Sequence, residues 1–378
     1  MSSYRIVNVG SHVNPPAGMW EQYFPRQLRD QAPKRVLREF EDGTQYEALL
    51  LEGRYHRQLD SQLGIKTEGE LVGKRGVPFA TSFSNGHAGQ REPAARLEAQ
   101  DIDGIDADVL VHPGYPIMLP ESRSTRYGMM YAFNDWLADF ISHDPRRLIG
   151  IGEIPVWDSE LAVLEARRIA RRGLKGVLMP AIPGYVGAWS CPADAPYTDP
   201  HYDPIWKALD ELGLVMVVHA DAAAATPGLQ DYTNPGLNMI INKTMPGEMI
   251  ASLICGNVFH RFAQLQLVCV ETGVGWMAHL VSWMDVLVKQ HPSMYRQLTE
   301  LPSITFHDHV SGSFLWDTVG VANKDMIGLD NMMWCNDFPH SYGPWPRSID
   351  QIQKDLGSMS EADRYRILAG NAVRVFKL

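Results

Sequence analysis

The sequence predicts an α/β fold, a (β/α)8 TIM barrel with an insertion after the first strand. Eight short runs rich in Val, Ile, Leu and Met recur along the chain, with helix-like segments between them. Nearly continuous apolar runs are typical of parallel strands buried on both faces. Eight such strands alternating with helices indicate a closed barrel. The runs are residues 5–10, 106–112, 148–154, 173–180, 214–220, 265–271, 309–315 and 332–338.

The segments between the runs have the residue spacing of helices. Apolar residues recur at intervals of three and four, which places them on one helical face. The clearest examples are residues 91–102, 131–141, 158–172, 203–213 and 275–290. A last helix is predicted to begin at Ser360, because Asp363 follows three residues later in a capping-box pattern.

We expect a single domain that spans residues 1–378. A barrel of this type needs about 250 residues, and most of the surplus lies at residues 13–92, which are rich in Gly and Pro and weakly periodic. We interpret this stretch as an insertion that acts as a lid or a subunit contact. Its aromatic residues Trp20, Tyr23 and Phe24 suit either role.

Composition and charge exclude several classes of protein. The 378 residues carry a formal net charge of −10, which argues against nucleic acid or an anionic membrane as the main partner. We find no signal-peptide pattern, no apolar run long enough to cross a bilayer and no phosphate-binding glycine loop. Without a CxxC pair, the cysteines are expected to be reduced thiols of a cytoplasmic protein. They are Cys191, Cys255, Cys269 and Cys335.

Histidines and carboxylates stand at the ends of four predicted strands. His12 follows the first strand and His219 ends the fifth. Glu271 ends the sixth strand and Asp337 ends the eighth, with His340 three residues later. Strand ends meet at one mouth of a TIM barrel, where the reactive groups lie. Together these residues predict a metal site, and imidazole with carboxylate suits zinc, iron or manganese.

A second pair of histidines is not expected to bind metal. His307 and His309 are two residues apart, which would place them on one face of a strand. They would lie at the start of the seventh strand, at the opposite end of the barrel from the mouth. We therefore expect both to make structural hydrogen bonds.

Seven segments spread over nearly the whole chain carry a family resemblance. They are SHVNPPAGMW, ARLEAQDIDGIDADVLV, FNDWLADFISHDPRRLIGIGEIP, DPHYDPIWKALDELGLVMVVH, LQLVCVETGVGWM, IGLDNMMWCNDFPHSYGPWP and ILAGNAVRVF. In these segments the chain resembles the amidohydrolase superfamily, in the branch that includes aminocarboxymuconate semialdehyde decarboxylase. The resemblance implies that the metal ligands are His12, His219, Glu271 and Asp337. It also implies catalytic roles for Asp337, which handles the proton, and for His340.

The first strand departs from the family pattern. The family has Asp, Glu or His two residues before the first histidine, and this chain has Gly10 there. Acidic residues are common at two further positions, which are occupied here by Asn8 and Pro15. The resemblance therefore implies one divalent transition metal in this chain. New acidic residues at positions 8 and 10 are expected to admit a second ion.

The reduced first strand favours a narrower interpretation. The chain resembles the reduced-site subunit of an amidohydrolase-fold dimetal monooxygenase that hydroxylates isobutyrate. This implies an oxygenase component for a small carboxylic acid or acyl substrate. Its partner would be a homologous subunit that holds an iron or manganese dimetal site, or a second copy of this chain. The alternative is a stand-alone metal-dependent hydrolase or non-oxidative decarboxylase.

Overall fold

The protein folds as a (β/α)8 TIM barrel, as predicted. Eight parallel strands form one sheet, in which strands that follow one another in the chain lie side by side. The structure, a computed structural model, describes residues 4–16, 18–39, 41–56, 86–112, 120–181, 183, 195–219, 240 and 242–378.

All eight predicted barrel strands are confirmed within a few residues. They are β1 Val7–His12, β5 Ala107–Val111, β6 Leu148–Glu153, β7 Gly176–Leu178, β8 Val215–His219, β9 Leu267–Val270, β10 Val310–Phe314 and β11 Met332–Trp334. A separate antiparallel sheet contains β2 Lys34–Glu39, β3 Gln45–Leu51 and β4 Arg54–His56.

The predicted helices are also confirmed. The α-helices are α1 Met19–Tyr23, α2 Pro93–Asp103, α3 Arg123–Ile141, α4 Ser159–Arg171, α5 Asp203–Leu212, α6 Pro246–Cys255, α7 Val258–Arg261, α8 Gly275–Gln290, α9 Pro302–His309, α10 Thr318–Ala322, α11 Lys324–Ile327, α12 Ser348–Leu356, α13 Glu361–Tyr365 and α14 Asn371–Phe376. Ser360 caps α13, because its Oγ accepts a hydrogen bond from the backbone N–H of Asp363 at 3.1 Å. None of the helices in the described part of the chain is long and apolar enough to cross a membrane.

Valine and isoleucine side chains fill the interior of the barrel. Alternate residues of a strand point to opposite faces, so every second residue points inward. The inward set is Val7, Val9, Ala107, Val109, Val111, Ile149, Ile151, Leu178, Val215, Val217, Val268, Val270 and Met333. Residues of α14 pack against the same cluster. A second, larger cluster joins the outer faces of the strands to the helices.

A β-bulge at Gly10 sets the direction of His12. Val9 pairs with Val109, but Ser11 pairs with Leu110, so one extra residue separates these two pairs. Gly10 has φ +142°, a conformation that favours glycine. The bulge reverses the alternation, and His12 therefore shares the inward face with its partner Val111.

The seam of the barrel joins the first and last strands beside the site. The N–H of His12 donates to the carbonyl of Phe338 at 2.8 Å, and the N–H of Asp337 donates to the carbonyl of Gly10 at 3.0 Å. An isolated parallel bridge between Ser11 and Phe338 completes this contact. Backbone hydrogen bonds thus hold His12 and Asp337 side by side.

The insertion contains structure that the sequence did not predict. Within residues 13–92 lie α1 and the sheet of β2, β3 and β4, although residues 57–85 lie outside the described part. Trp20 and Phe24 are buried in the outer core, and the hydroxyl of Tyr23 donates to Asp139 at 2.9 Å. The role of the insertion as a lid or an interface stays a prediction.

Three of the four cysteines lie within the described residues, and none of the three forms a disulfide there. Cys255, Cys269 and Cys335 are free thiols, and Cys191 lies outside the described residues. Burial raises the pKa of the Cys335 thiol well above its usual range. This thiol is therefore held in its neutral form.

Candidate metal centre

Five buried side chains from four strand ends meet at the mouth of the barrel. His12 ends β1, His219 ends β8, and Glu271 directly follows β9. Asp337 and His340 lie on the segment after β11. His12, Glu271, Asp337 and His340 each offer one ligand atom, and these four atoms lie within 4.8 Å of one another.

Short contacts link every imidazole of the cluster to a carboxylate. His12 Nε2 lies 2.8 Å from Asp337 Oδ1 and 3.2 Å from Glu271 Oε1. His219 Nε2 lies 2.9 Å from Glu271 Oε2, and His340 Nδ1 lies 2.5 Å from Asp337 Oδ1. The two carboxylates are therefore the centre of the cluster.

We call His12, Glu271, Asp337 and His340, whose ligand atoms lie within 4.8 Å of one another, the compact set. It shares three residues with the predicted ligand set. His12, Glu271 and Asp337 belong to both. His219, a predicted ligand, reaches the cluster through Glu271, and its ring centroid lies 5.0 Å from that of His12. His340, predicted as a catalytic residue, belongs to the compact set instead.

The two carboxylate residues have an unusual backbone. Glu271 has φ +61° and Asp337 has φ +54°, in the left-handed region that few non-glycine residues adopt. Hydrogen bonds hold Glu271 in place, since its N–H donates to Ser313 Oγ at 2.9 Å and its carbonyl accepts from Lys243 Nζ at 2.5 Å. Strain of this kind is typical of functional sites.

The charges of the cluster are strongly coupled. Burial alone would raise the pKa of Glu271, but His12 and His219 reverse this and hold the pKa of that carboxyl well below its usual range. Burial alone would lower the pKa of His12, but Glu271 and Asp337 raise it well above its ordinary value. Burial and the repulsion from Glu271 would raise the pKa of Asp337, but His340 and His12 together lower it. The carboxylates are therefore ionised.

The donor set fits a divalent transition metal. Glu271 Oε1 and Asp337 Oδ2 are buried and accept no hydrogen bond from any residue that the structure describes. A buried carboxylate oxygen without a donor is costly unless a cation compensates it. Imidazole nitrogen with carboxylate oxygen suits zinc, iron or manganese.

Asn8 does not face the cluster. Its Nδ2 donates to Asp108 Oδ1 at 2.8 Å and to Asn336 Oδ1 at 2.6 Å, and its Oδ1 accepts from the N–H of Asn336 at 2.8 Å. This side chain links β1 to its two neighbours on the outer face of the barrel. An acidic residue at position 8 would therefore not reach a metal at the mouth.

Reactive groups of a TIM barrel stand at the ends of its strands. Two more residues could have been identified in this way, at the ends of the second and third strands. His112 directly follows β5 and Glu153 ends β6, and both are 1% exposed. Arg96 was also missed, and the sequence gives no signal for it. This buried residue donates to the carbonyl of His12 and to Asp108 Oδ2, and so fixes the end of β1.

The histidines at 307 and 309 lie on a helix, and the expectation that they share a strand face is wrong. Both belong to the last turn of α9, which precedes β10. His309 Nδ1 bonds to the carbonyl of Leu265 at 2.8 Å, and His307 Nε2 bonds to that of Met326 at 3.4 Å. Neither residue reaches the metal centre.

Two curated relatives show what the chain is similar to. It is 24% identical to 2-amino-3-carboxymuconate-6-semialdehyde decarboxylase of Dictyostelium discoideum over 303 residues, which cover 76% of this chain and 77% of the relative. It is 25% identical to gamma-resorcylate decarboxylase of Polaromonas sp. over 299 residues, which cover 75% of this chain and 86% of the relative.

A solved structure has the same fold. That of 5-carboxyvanillate decarboxylase from Novosphingobium aromaticivorans, complexed with manganese, matches with a TM-score of 0.67 and 18% identity, and covers 100% of this chain and 97% of that one. A likeness at this level of identity shows the fold alone.

These comparisons correct the expected activity. The interpretation of the chain as an oxygenase component is wrong, because the matching relatives are decarboxylases. They favour the alternative, a non-oxidative decarboxylase. The reason for expecting a homologous partner with a dimetal site no longer holds.

The family itself is well supported. A family model described as amidohydrolase matches residues 125–378, well over half of the chain, and the chain therefore belongs to the amidohydrolase family.

Proposed function

We propose that this protein is a metal-dependent, non-oxidative decarboxylase of a small carboxylic acid. The observation that carries the proposal is the buried cluster with two carboxylate oxygens that accept no hydrogen bond from the described residues. The decarboxylases among its relatives support the reaction type. A metal ion bound here would supply concentrated positive charge close to the substrate.

His12, His219, Glu271 and Asp337 would hold one divalent ion. Their donor atoms come from four different strands of a closed barrel, so the geometry is fixed before the substrate arrives. The residues are 2% exposed or less. Exclusion of water strengthens every electrostatic interaction inside such a site.

Asp337 and His340 would handle the proton. In decarboxylation the bond between carbon and the carboxylate breaks, CO2 leaves, and the electron pair stays on the substrate carbon. One proton must then reach that carbon. The contact of 2.5 Å between His340 Nδ1 and Asp337 Oδ1 allows the imidazole to pass a proton to the carboxylate. Each turnover therefore consumes one substrate carboxylate and one proton, and it yields one C–H bond and one molecule of CO2.

Release of CO2 without oxygen tests this function. The chain is treated with a chelator, reloaded with Mn²⁺ or Zn²⁺, and incubated under argon with gamma-resorcylate, 5-carboxyvanillate and 2-amino-3-carboxymuconate-6-semialdehyde in turn. We expect CO2 from at least one acid, dependent on metal and unchanged under air. CO2 release by the control variant, Asp337→Asn, is expected to fall to background. A folded, fully loaded chain that releases no CO2 from any of the three would contradict the proposal.

A further inference from the structure

Glu153 points into the barrel at its mouth. A Cβ at Gly150 or Gly152 would lie within about 3.2 Å of side chains from α3 or α4, so these two positions face the outer helices. Ile149 and Ile151 belong to the inward cluster. The alternation of the strand therefore directs Glu153 inward, one step above Ile151.

The carboxylate of Glu153 is buried and receives no hydrogen bond from the described residues. The residue is 1% exposed, and neither Oε1 nor Oε2 accepts a hydrogen bond from the part of the chain that the structure describes. His112 Nδ1 lies 3.3 Å from Oε1, too far for a strong hydrogen bond. Buried polar groups are almost always satisfied, so such a carboxylate needs an explanation.

The backbone of Glu153 is held rigidly by α3. Its N–H donates to Asn134 Oδ1 at 2.8 Å, and its carbonyl accepts from Asn134 Nδ2 at 2.8 Å. One amide side chain thus binds both backbone groups of the residue. A fixed acceptor at a barrel mouth is preorganised to bind a ligand.

The pair of Glu153 and His112 adjoins the metal centre. His12 Nδ1 lies 3.3 Å from the carbonyl of Val111, the residue directly before His112. All three side chains therefore stand on adjacent strands, β1, β5 and β6, at the same end of the barrel. Glu153 and the metal centre therefore face the same mouth of the barrel.

We propose that Glu153 is a substrate-binding residue that accepts a hydrogen bond from a hydroxyl or amino group of the acid. The inference deepens the proposed decarboxylase function and rests on it. The substrate carboxylate is drawn to the metal and repelled by Glu153, while the donor group is drawn to Glu153. This fixes the orientation of the substrate, and analogues without the donor are rejected because they leave the buried acceptor unsatisfied.

Ligand binding tests the proposal separately from turnover. Affinities of the Mn²⁺-loaded chain for benzoate and for 2-, 3- and 4-hydroxybenzoate are measured by calorimetry. We expect at least one hydroxybenzoate to bind tenfold or more tightly than benzoate. Glu153→Leu should abolish this preference and tighten the binding of benzoate, because benzoate then no longer leaves a buried acceptor unsatisfied. Glu47→Gln is the matched control, since Glu47 is a buried glutamate of β3, outside the barrel, that pairs with Arg35; it should retain the preference.

Thermal stability separates a binding role from a structural ion pair. Because no described residue donates a hydrogen bond to the Glu153 carboxylate, Glu153→Gln is expected to raise the melting temperature of the ligand-free protein. Glu47→Gln, which weakens the pair with Arg35, should lower it. A fall in melting temperature for Glu153→Gln together with unchanged ligand preference would overturn the proposal. The proposal would also be overturned if the wild-type chain bound benzoate and the three hydroxybenzoates with equal affinity, or if it bound none of them. Absence of CO2 release would instead count against the decarboxylase function alone.

Discussion

The carboxyl group of Glu271 fills the space that a side chain on Gly10 would occupy. A Cβ at Gly10 would lie 2.9 Å from both Cγ and Oε1 of Glu271, and 3.0 Å from Cγ1 of Val270. Real Cβ atoms do not approach other atoms so closely. Gly10 in the first strand therefore leaves the space that Glu271, after the sixth strand, needs. The anionic group at this place comes from the end of β9 and not from β1.

This relationship opposes the expectation that acidic residues at positions 8 and 10 admit a second metal. A carboxylate on position 10 would displace Glu271 instead of adding to it, and position 8 faces the outside of the barrel. We therefore expect the double variant Asn8→Asp, Gly10→Asp to bind less metal than the wild type.

Gly10→Ala should lower the metal content well below that of the wild type. The new Cβ must push Glu271 away from the centre, and φ +142° is unfavourable for alanine. The measurement is metal per chain after reloading with excess Mn²⁺ and desalting. Gly173→Ala separates the two effects, because Gly173 has φ +89° but open space around its Cβ position. This control should lose some stability and keep its metal; an equal loss of metal in both variants would contradict the explanation.

The barrel could be predicted from the sequence because its strands are buried on both faces. Such strands must be apolar throughout, so all eight stand out as continuous runs. The sheet of β2, β3 and β4 gives no such signal. Its first strand, β2, is mostly polar: Lys34, Arg35 and Glu39 are exposed, and none of its six residues is buried.

The composition of the site followed from the strand ends, but its internal geometry did not. The rule that reactive groups follow barrel strands selected all five members of the cluster. The close approach of Gly10 and Glu271 joins positions far apart in the sequence, and no local pattern encodes it. The outward direction of Asn8 was hidden for a related reason, since the bulge at Gly10 reverses the alternation only for the residues that follow it.

His219→Ala should strip the metal from the centre. The imidazole binds Glu271 Oε2 at 2.9 Å and is a proposed ligand, so its loss removes one donor and frees one carboxylate oxygen. We expect metal content to fall severalfold, as measured by elemental analysis of the purified variant. His309→Ala is the matched control, because His309 bonds to the backbone carbonyl of Leu265 and stacks on Phe259, at the opposite end of the barrel from the mouth. A full equivalent of metal in the His219 variant would refute the ligand assignment.

Metal uptake should weaken as the pH falls. In the metal-free centre burial alone would lower the pKa of His12, but Glu271 and Asp337 raise it well above its usual value. A metal ion needs the neutral imidazole, so binding must release this proton. Metal affinity therefore falls as the pH falls, because acid favours the protonated, metal-free form. Because the pKa is raised, the loss should begin at a higher pH than for an ordinary histidine.

Calorimetric titration with Mn²⁺ in buffers of different ionisation enthalpy measures this proton release. Near neutral pH we expect about one proton per ion, and a steady loss of affinity towards about pH 6. Affinity that is independent of pH, with no proton released, would show that His12 is not a ligand.

Arg96 should be among the most sensitive positions for stability. It is fully buried, pairs with Asp108 Oδ2 at 3.1 Å and bonds to backbone carbonyls at Gly89 and His12. Arg96→Met would leave the carboxylate of Asp108 buried without its cation, which typically costs about 3–5 kcal/mol. The free energy of unfolding in urea measures the loss. Arg5→Met is the matched control, because Arg5 forms an exposed pair with Asp106 at 3.7 Å and its replacement should change stability little.

Since Arg96 also fixes the end of β1, its variant should bind Mn²⁺ more weakly even where it remains folded. If stability fell but metal affinity did not, Arg96 would support the fold without positioning His12.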